Sequence, residues 1–216
     1  EEVAWIELME GITLIKQGKR KRPSRKWFQV DDQEGITAFI ERKKNIDLHR
    51  SQLMVYSSSQ PLKGEHLKCR RWGKFLLEID GDKDDPQKSI QCLQEVLKVT
   101  DEILPEGIEA EIRFSGNKSF YLQAEIDRQP SFNLYVKHQK LALEIVGRIP
   151  PPYQAMIDMG VYDYDQTLRL EGSEYPAGIG FNVPLDRSNL DWDTIKLVSG
   201  NPAMEELQME TVYTNG

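Results

Sequence analysis

Apolar positions change period several times along the chain, and the changes mark its elements. Phe75-Leu76-Leu77 is a continuous apolar run that passes directly into Glu78-Ile79-Asp80-Gly81-Asp82, the pattern of a buried strand ending at a polar edge. Asp84 and Asp85 ahead of Pro86 place an N-cap carboxylate before a first-turn proline, which starts a helix. Ile90, Leu93, Val96, Leu97 and Leu104 recur at helical spacing, with Val99 and Ile103 widening the stripe, until Pro105-Glu106-Gly107 stops it. Ile108, Ala110, Ile112 and Phe114 then alternate as a second strand, closed by Ser115-Gly116-Asn117-Lys118-Ser119. If the two strands run parallel, the acidic cluster and the Ser-Gly turn open on one edge of one sheet, where ligands bind in α/β folds.

The flanks carry weaker patterns. Trp5, Ile6, Leu8, Met9, Ile12, Leu14 and Ile15 predict a short helix followed by a strand over residues 1–15. Residues 35–44 predict a helix with Ile36, Phe39 and Ile40 inward, and Leu53-Met54-Val55-Tyr56 predicts a strand. Residues 122–126 continue a strand, residues 134–147 predict a helix, Pro150-Pro151-Pro152 breaks the chain, and residues 191–198 predict a short helix. The expected fold class is α/β (α+β). A small N-terminal α/β module spans 1–66, a second module 67–200, and a tail or linker 201–216.

Composition narrows the classes. With 216 residues and a 39% hydrophobic fraction the chain can bury a substantial core, as one large or two small domains. Its apolar runs fall far short of the ~20 residues a membrane span requires, so no membrane partner is expected. The first residue is Glu1 and no signal peptide is visible, which predicts a cytoplasmic domain of a longer protein. Cys69 and Cys92 make neither a disulfide framework nor a zinc cluster, and no zinc is expected. His49, His66 and His138 show no ligand spacing.

A net charge of −7 argues against nucleic acid as a partner, but the charge is unevenly spread. Lys16, Lys19, Arg20, Lys21, Arg22, Arg25 and Lys26 fall within eleven residues, followed by Trp27-Phe28. Such a patch can hold phosphates and stack the bases of a single strand; a solvated loop between two strands fits it equally well.

The acidic strand end carries the sharpest chemistry. Residues two apart in a strand share a face, so Glu78 and Asp80 line up, with Asp82 joining if the strand persists past Gly81. Crowded carboxylates suit a hard cation such as Mg²⁺ or Mn²⁺. The competing interpretation is a strand running into an acidic turn, Asp82-Lys83-Asp84-Asp85.

Three stretches, in order, resemble the motifs of the archaeo-eukaryotic primase superfamily. They are Leu76-Leu77-Glu78-Ile79-Asp80, Ser115-Gly116-Asn117-Lys118-Ser119-Phe120-Tyr121, and a third running from Ile157-Asp158-Met159-Gly160-Val161-Tyr162 through Leu168-Arg169-Leu170-Glu171-Gly172-Ser173 to Tyr175-Pro176 and Val183-Pro184-Leu185. Together they cover roughly residues 70–190. Two family histidines are replaced, by Tyr121 and Tyr175, and the first acid is Glu rather than Asp.

The resemblance implies an RRM-like catalytic core and template-dependent nucleotidyl transfer, as in a DNA primase-polymerase of replication or of a mobile element. It implies a two-metal site, Mg²⁺ or Mn²⁺, on Glu78, Asp80 and Asp158, with Asp82 auxiliary. Asp163 and Asp165 compete with Asp158 on spacing, but Asp158 matches the family's acid-x-x-Val-Tyr. Nucleotide contacts fall to Ser115, Gly116, Lys118, Tyr121, Arg169 and Ser173, although Arg169 also suits a surface pair with Glu171. Lys19, Arg20, Lys21, Arg22, Arg25 and Lys26 are assigned to nucleic acid. The implied partners are nucleoside triphosphates, a single-stranded DNA template with its primer, and a helicase or accessory domain, in a nucleoid-associated setting. The alternatives are a primase-like domain that binds nucleic acid without synthesis and, less favoured, a metal-dependent nuclease.

Overall fold

The computed structural model describes residues 1–10, 25–44, 46, 48–62, 64, 68–162, 167–175 and 180–200. Two antiparallel sheets organise them. The first contains β1 (Val3–Glu10), β2 (Arg25–Gln29), β3 (Leu48–Ser51), β4 (Met54–Ser57) and β5 (Arg70–Trp72), joined by β10 (Thr167–Arg169) from late in the chain. Its core is Ile6, Leu8, Phe28, Ile36, Phe39, Leu48 and Leu170. α1 (Gln33–Arg42) contributes Ile36 and Phe39, and its Asp32 cap accepts the Gly35 N–H at 2.9 Å.

Residues 3–10 are a strand, not the short helix expected there. β1 pairs with β2, β3 and β4, so its neighbours satisfy the backbone groups that a helix would have satisfied internally. Residues 11–15, the rest of the stretch expected to form a helix and then a strand, lie outside the described residues.

The second sheet has the order β11-β7-β8-β6-β9: β11 (Val183–Leu185), β7 (Glu111–Phe114), β8 (Phe120–Ala124), β6 (Phe75–Ile79) and β9 (Ile157–Asp158). β8 lies antiparallel between β6 and β7, so those two run in the same direction and end at the same edge. α2 (Pro86–Ile103), α3 (Leu134–Arg148) and α5 (Trp192–Gly200) complete this core, with the short α4 (Pro151–Gln154) leading into β9. α2 starts as its sequence dictates: the Asp85 carboxylate accepts the Lys88 N–H at 3.0 Å, and Pro86 occupies the first turn. Its stripe of Ile90, Leu93, Val96 and Leu97 is buried, each fully buried aliphatic side chain contributing roughly 1.5–3 kcal/mol. Trp192 of α5 meets Phe114 edge-on at 5.6 Å.

β6 is covered on both faces: Phe75, Leu76, Leu77 and Ile79 are fully or almost fully buried. The Tyr162 hydroxyl donates to the Leu76 carbonyl. These contacts hold rigid the strand that ends in the acidic cluster.

Candidate active site

A row of side chains crosses the second sheet on the face away from Ile79, Phe114 and Phe120. Register places Arg113 of β7 opposite Tyr121 of β8, Tyr121 opposite Glu78 of β6, and Glu78 opposite Asp158 of β9. Directly paired residues share a face, so Glu78 and Asp158 sit side by side although they are far apart in sequence. Asp80 follows just beyond the end of β6, its N–H donated to the Met156 carbonyl at 2.7 Å.

The Ser115–Ser119 turn closes against this edge. The Ser115 hydroxyl accepts the Ser119 N–H at 3.1 Å, and the Ser115 N–H donates to the Ser119 carbonyl at 2.9 Å. Gly116 has φ +82° and lies so close to Gly180 that a Cβ would fall 2.4 Å from its carbonyl oxygen; glycine alone suits both constraints. Gly81 is equally tight, since a Cβ there would meet the Lys118 carbonyl oxygen at 1.9 Å. The turn thus brings Lys118 Nζ to 2.7 Å and Ser119 Oγ to 3.3 Å from Asp80 Oδ1.

Burial is the main reason that the Glu78 carboxyl is pushed up to about 7, with the neighbouring Asp158 charge adding to it; the Ser119 hydroxyl and Lys118 pull the other way and Asp80 pushes further. Among the described residues no three Asp, Glu, His or Cys side chains converge closely enough to hold a metal ion. The carboxylates that repel Glu78 have partners of their own: Asp80 has Lys118 and the Ser119 hydroxyl, and Asp158 Oδ1 accepts the Gly160 N–H at 2.8 Å. The donor set is all oxygen and under electrostatic strain, which suits a hard divalent cation.

Glu78 also makes stability depend on pH. A carboxyl raised from 4.5 to about 7 binds its proton more tightly when folded. Its contribution is therefore fully present below about pH 4.5 and is lost as pH rises through about 7. Glu78→Gln is expected to stabilise the fold in EDTA at pH 8 by on the order of 3 kcal/mol, read as a higher melting temperature, and to leave the melting temperature unchanged near pH 4. Equal shifts at both pH values would show that Glu78 does not hold its proton in the folded state.

The other expected residues divide. The Asp82 N–H donates to Ser89 Oγ at 2.8 Å, its carboxylate accepts the Asp84 N–H at 2.9 Å, and the residue lines the same cleft as Asp80. Tyr121 is buried, and burial, then the Glu78 charge, pushes its phenol far up. Arg169 is buried with its guanidinium 4.4 Å above the Tyr175 ring. The partner of Glu171 is Arg50, in a bidentate pair of 2.7 and 3.0 Å. Burial opposes ionisation of Glu171, but the Arg50 charge and hydrogen bonds, helped by Arg113, outweigh it and hold the carboxyl at about 2. Ser173 is fully buried and its hydroxyl accepts the Leu48 N–H at 2.8 Å, tying this loop to the first sheet. Arg25 pairs with Glu7 at 3.3 Å, and Lys26 lies 4.5 Å over the Phe28 ring. Lys16, Lys19, Arg20, Lys21, Arg22, His66, Asp163, Asp165 and Pro176 lie outside the described residues.

Three residues at the site had been given no role from the sequence, Ser119 among them although it lies in the second motif. Ser119 reaches Asp80. Arg113 donates through Nε to Asn182 Oδ1 at 3.1 Å, and Asn182 Nδ2 donates to the Arg169 carbonyl at 3.0 Å. Alternation in β7 placed Arg113 opposite in facing to Ile112 and Phe114, which was the available signal; Asn182 had none.

No known family profile matches the chain, and no curated protein does. Among solved structures it is similar to the polymerase domain of Ligase D from Mycobacterium tuberculosis, determined in complex with DNA, with a TM-score of 0.56 at 12% identity over 95% of this chain and 85% of that one. The likeness is one of fold: the two antiparallel sheets and their helices follow the arrangement of a polymerase domain, in line with the fold that the three motifs implied.

Proposed function

We propose that the protein is a nucleotidyltransferase of the DNA primase-polymerase type, extending or starting a primer on a single-stranded DNA template. The observation that carries this is the pairing of Glu78 with Asp158 across β6 and β9, with Asp80 beyond the strand end and the Ser115–Ser119 turn closing on the same edge. The fold of a polymerase domain solved with DNA supports it. Glu78, Asp80 and Asp158 would hold Mg²⁺ or Mn²⁺, with Asp82 nearby. Such ions lower the pKa of a primer 3′-hydroxyl and neutralise the triphosphate and departing pyrophosphate. The Ser115-Gly116 backbone offers N–H groups to phosphates, and Lys118 and Arg169 supply positive charge, Arg169 with a fork suited to phosphate oxygens. Tyr121 and Ser173 complete the proposed nucleotide contacts, and Arg25 and Lys26 of β2 would serve the nucleic acid with the basic residues preceding them. Primer extension with Mg²⁺ or Mn²⁺ tests this directly: extension supports synthesis, whereas degradation of the strand would mark a nuclease.

Binding without extension would favour a second interpretation, a primase-like domain that has lost synthesis. Its ground is the buried phenol of Tyr121 where the family resemblance implies histidine, because a phenol cannot become cationic. Tyr121→His is expected to lower the KM for the nucleotide, most clearly below about pH 6.5 where imidazole gains charge. A KM unchanged across the pH range would show that this position does not reach the phosphates.

A further inference from the structure

Beside the acidic edge lies a cleft of about 450 Å³ whose lining includes Asp80, Asp82, Lys83, Lys88 and Lys118. We propose that Lys118 is a built-in counter-ion that holds Asp80 until a divalent cation displaces it, and that the freed ammonium turns into this cleft to receive a phosphate group together with Lys83 and Lys88. The inference rests on Glu78, Asp80 and Asp158 as the cation site and adds to it an order of events and an anion subsite.

The geometry points to the exchange. Lys118 Nζ stands 2.7 Å from Asp80 Oδ1, where a cation shared with Glu78 would compete for the same oxygen. The pair is partly exposed, at 34% for the lysine side chain and 51% for the aspartate. An ion pair so open to water is weak, and a divalent cation at the same carboxylate attracts it twice as strongly as an ammonium does at equal distance. The backbone of Lys118 is fixed meanwhile. Its carbonyl packs on Gly81, and the residue that follows it donates its N–H to the Ser115 hydroxyl. Only the side chain is left to move.

The destination is suited to an anion. Neither Lys83 nor Lys88 is held in an ion pair among the described residues. Lys88 belongs to the first turn of α2, where the helix dipole adds positive potential. While Asp80 is paired with Lys118, the cleft's charged side chains carry a net charge of only +1, three lysines against two aspartates. Once a divalent cation takes Asp80, three ammonium groups face one remaining carboxylate, that of Asp82. Cation and phosphate therefore bind with positive coupling, which must be reciprocal. The phosphate group can belong to an incoming nucleotide or to released pyrophosphate.

Mn²⁺ titration followed by electron paramagnetic resonance, with no anion present, reads the exchange. Lys118→Gln is expected to bind Mn²⁺ roughly 3- to 10-fold more tightly than the wild type. Inorganic phosphate binding, followed by ³¹P resonance, is expected to tighten with Mg²⁺ in the wild type but not in Lys118→Gln. It is expected to weaken in Lys83→Gln combined with Lys88→Gln, a variant whose Mn²⁺ affinity changes less than that of Lys118→Gln. In that double variant, weaker pyrophosphate inhibition at unchanged nucleotide KM assigns the subsite to the product, and a raised KM assigns it to the nucleotide. Equal Mn²⁺ affinities in wild type and Lys118→Gln would overturn the exchange and leave the cation site standing. No Mn²⁺ binding in either protein would overturn both, and phosphate binding indifferent to Lys83 and Lys88 would remove the cleft.

Discussion

Replacing Glu78 and Asp80 together by alanine is expected to abolish nucleotide incorporation while the protein stays folded. β6 ends at Ile79 and is anchored by Phe75, Leu76, Leu77 and Ile79, none of which is altered, so the strand persists. What disappears is the oxygen donor set on which the proposed chemistry depends, and stabilisation of transition-state charge by bound metal is worth several kcal/mol, or roughly 10³-fold or more in rate. The same change separates function from stability. Removing Glu78 relieves a carboxyl held near 7 by burial and by Asp158. Removing Asp80 gives up a partly exposed ion pair with Lys118, worth about 0–1 kcal/mol. In EDTA at pH 8 the melting temperature should therefore rise. Extension at the wild-type rate would refute the assignment, and a lowered melting temperature would show that the carboxylates stabilise the fold instead of straining it.

Asp158→Asn is expected to reduce incorporation by orders of magnitude and to weaken Mn²⁺ binding, whereas Asp163→Asn and Asp165→Asn should each do little. The substitution keeps the shape of the side chain and an oxygen able to accept the Gly160 N–H, so the local turn survives and only the charge is lost. Asp158 is the acid that β9 sets directly opposite Glu78, with Ile157 and Val161 buried around it, and a ligand on a packed element is held more accurately than one on a loop. Loss of Glu78's neighbour also lowers the repulsion on that carboxyl, so the pH at which Glu78 ionises should fall in the same variant. A metal titration in which Asp163→Asn or Asp165→Asn is the damaging change would move the site to the segment after Tyr162 and break the third-motif alignment.

The α/β class, the strand–helix–strand order from Phe75 to Phe114 and the start of α2 could be read directly. Each rests on signals within one element: period 2 or 3.6, an N-cap carboxylate, a first-turn proline. The same local reasoning failed at residues 3–10. Leu8 and Met9 are adjacent and both buried, which blurs alternation. The deciding factor there is pairing with β2, β3 and β4, partners that lie elsewhere in the chain.

The sequence by itself determined that an acidic strand end and a Ser-Gly turn exist, and a shared edge followed only on the condition that their strands run parallel, which pairing of both with β8 supplied. Tertiary structure alone decided what those groups meet. Cross-strand register set Asp158 on one side of Glu78 and Tyr121 on the other, and a turn pressed against Gly81 delivered Lys118 to Asp80. Antiparallel pairing of β3 with β10 gave Glu171 to Arg50, not to its near neighbour Arg169, and buried Ser173 against β3. A side chain's type and period are local properties, but its partner, its exposure and hence its ionisation depend on which distant strands pack around it.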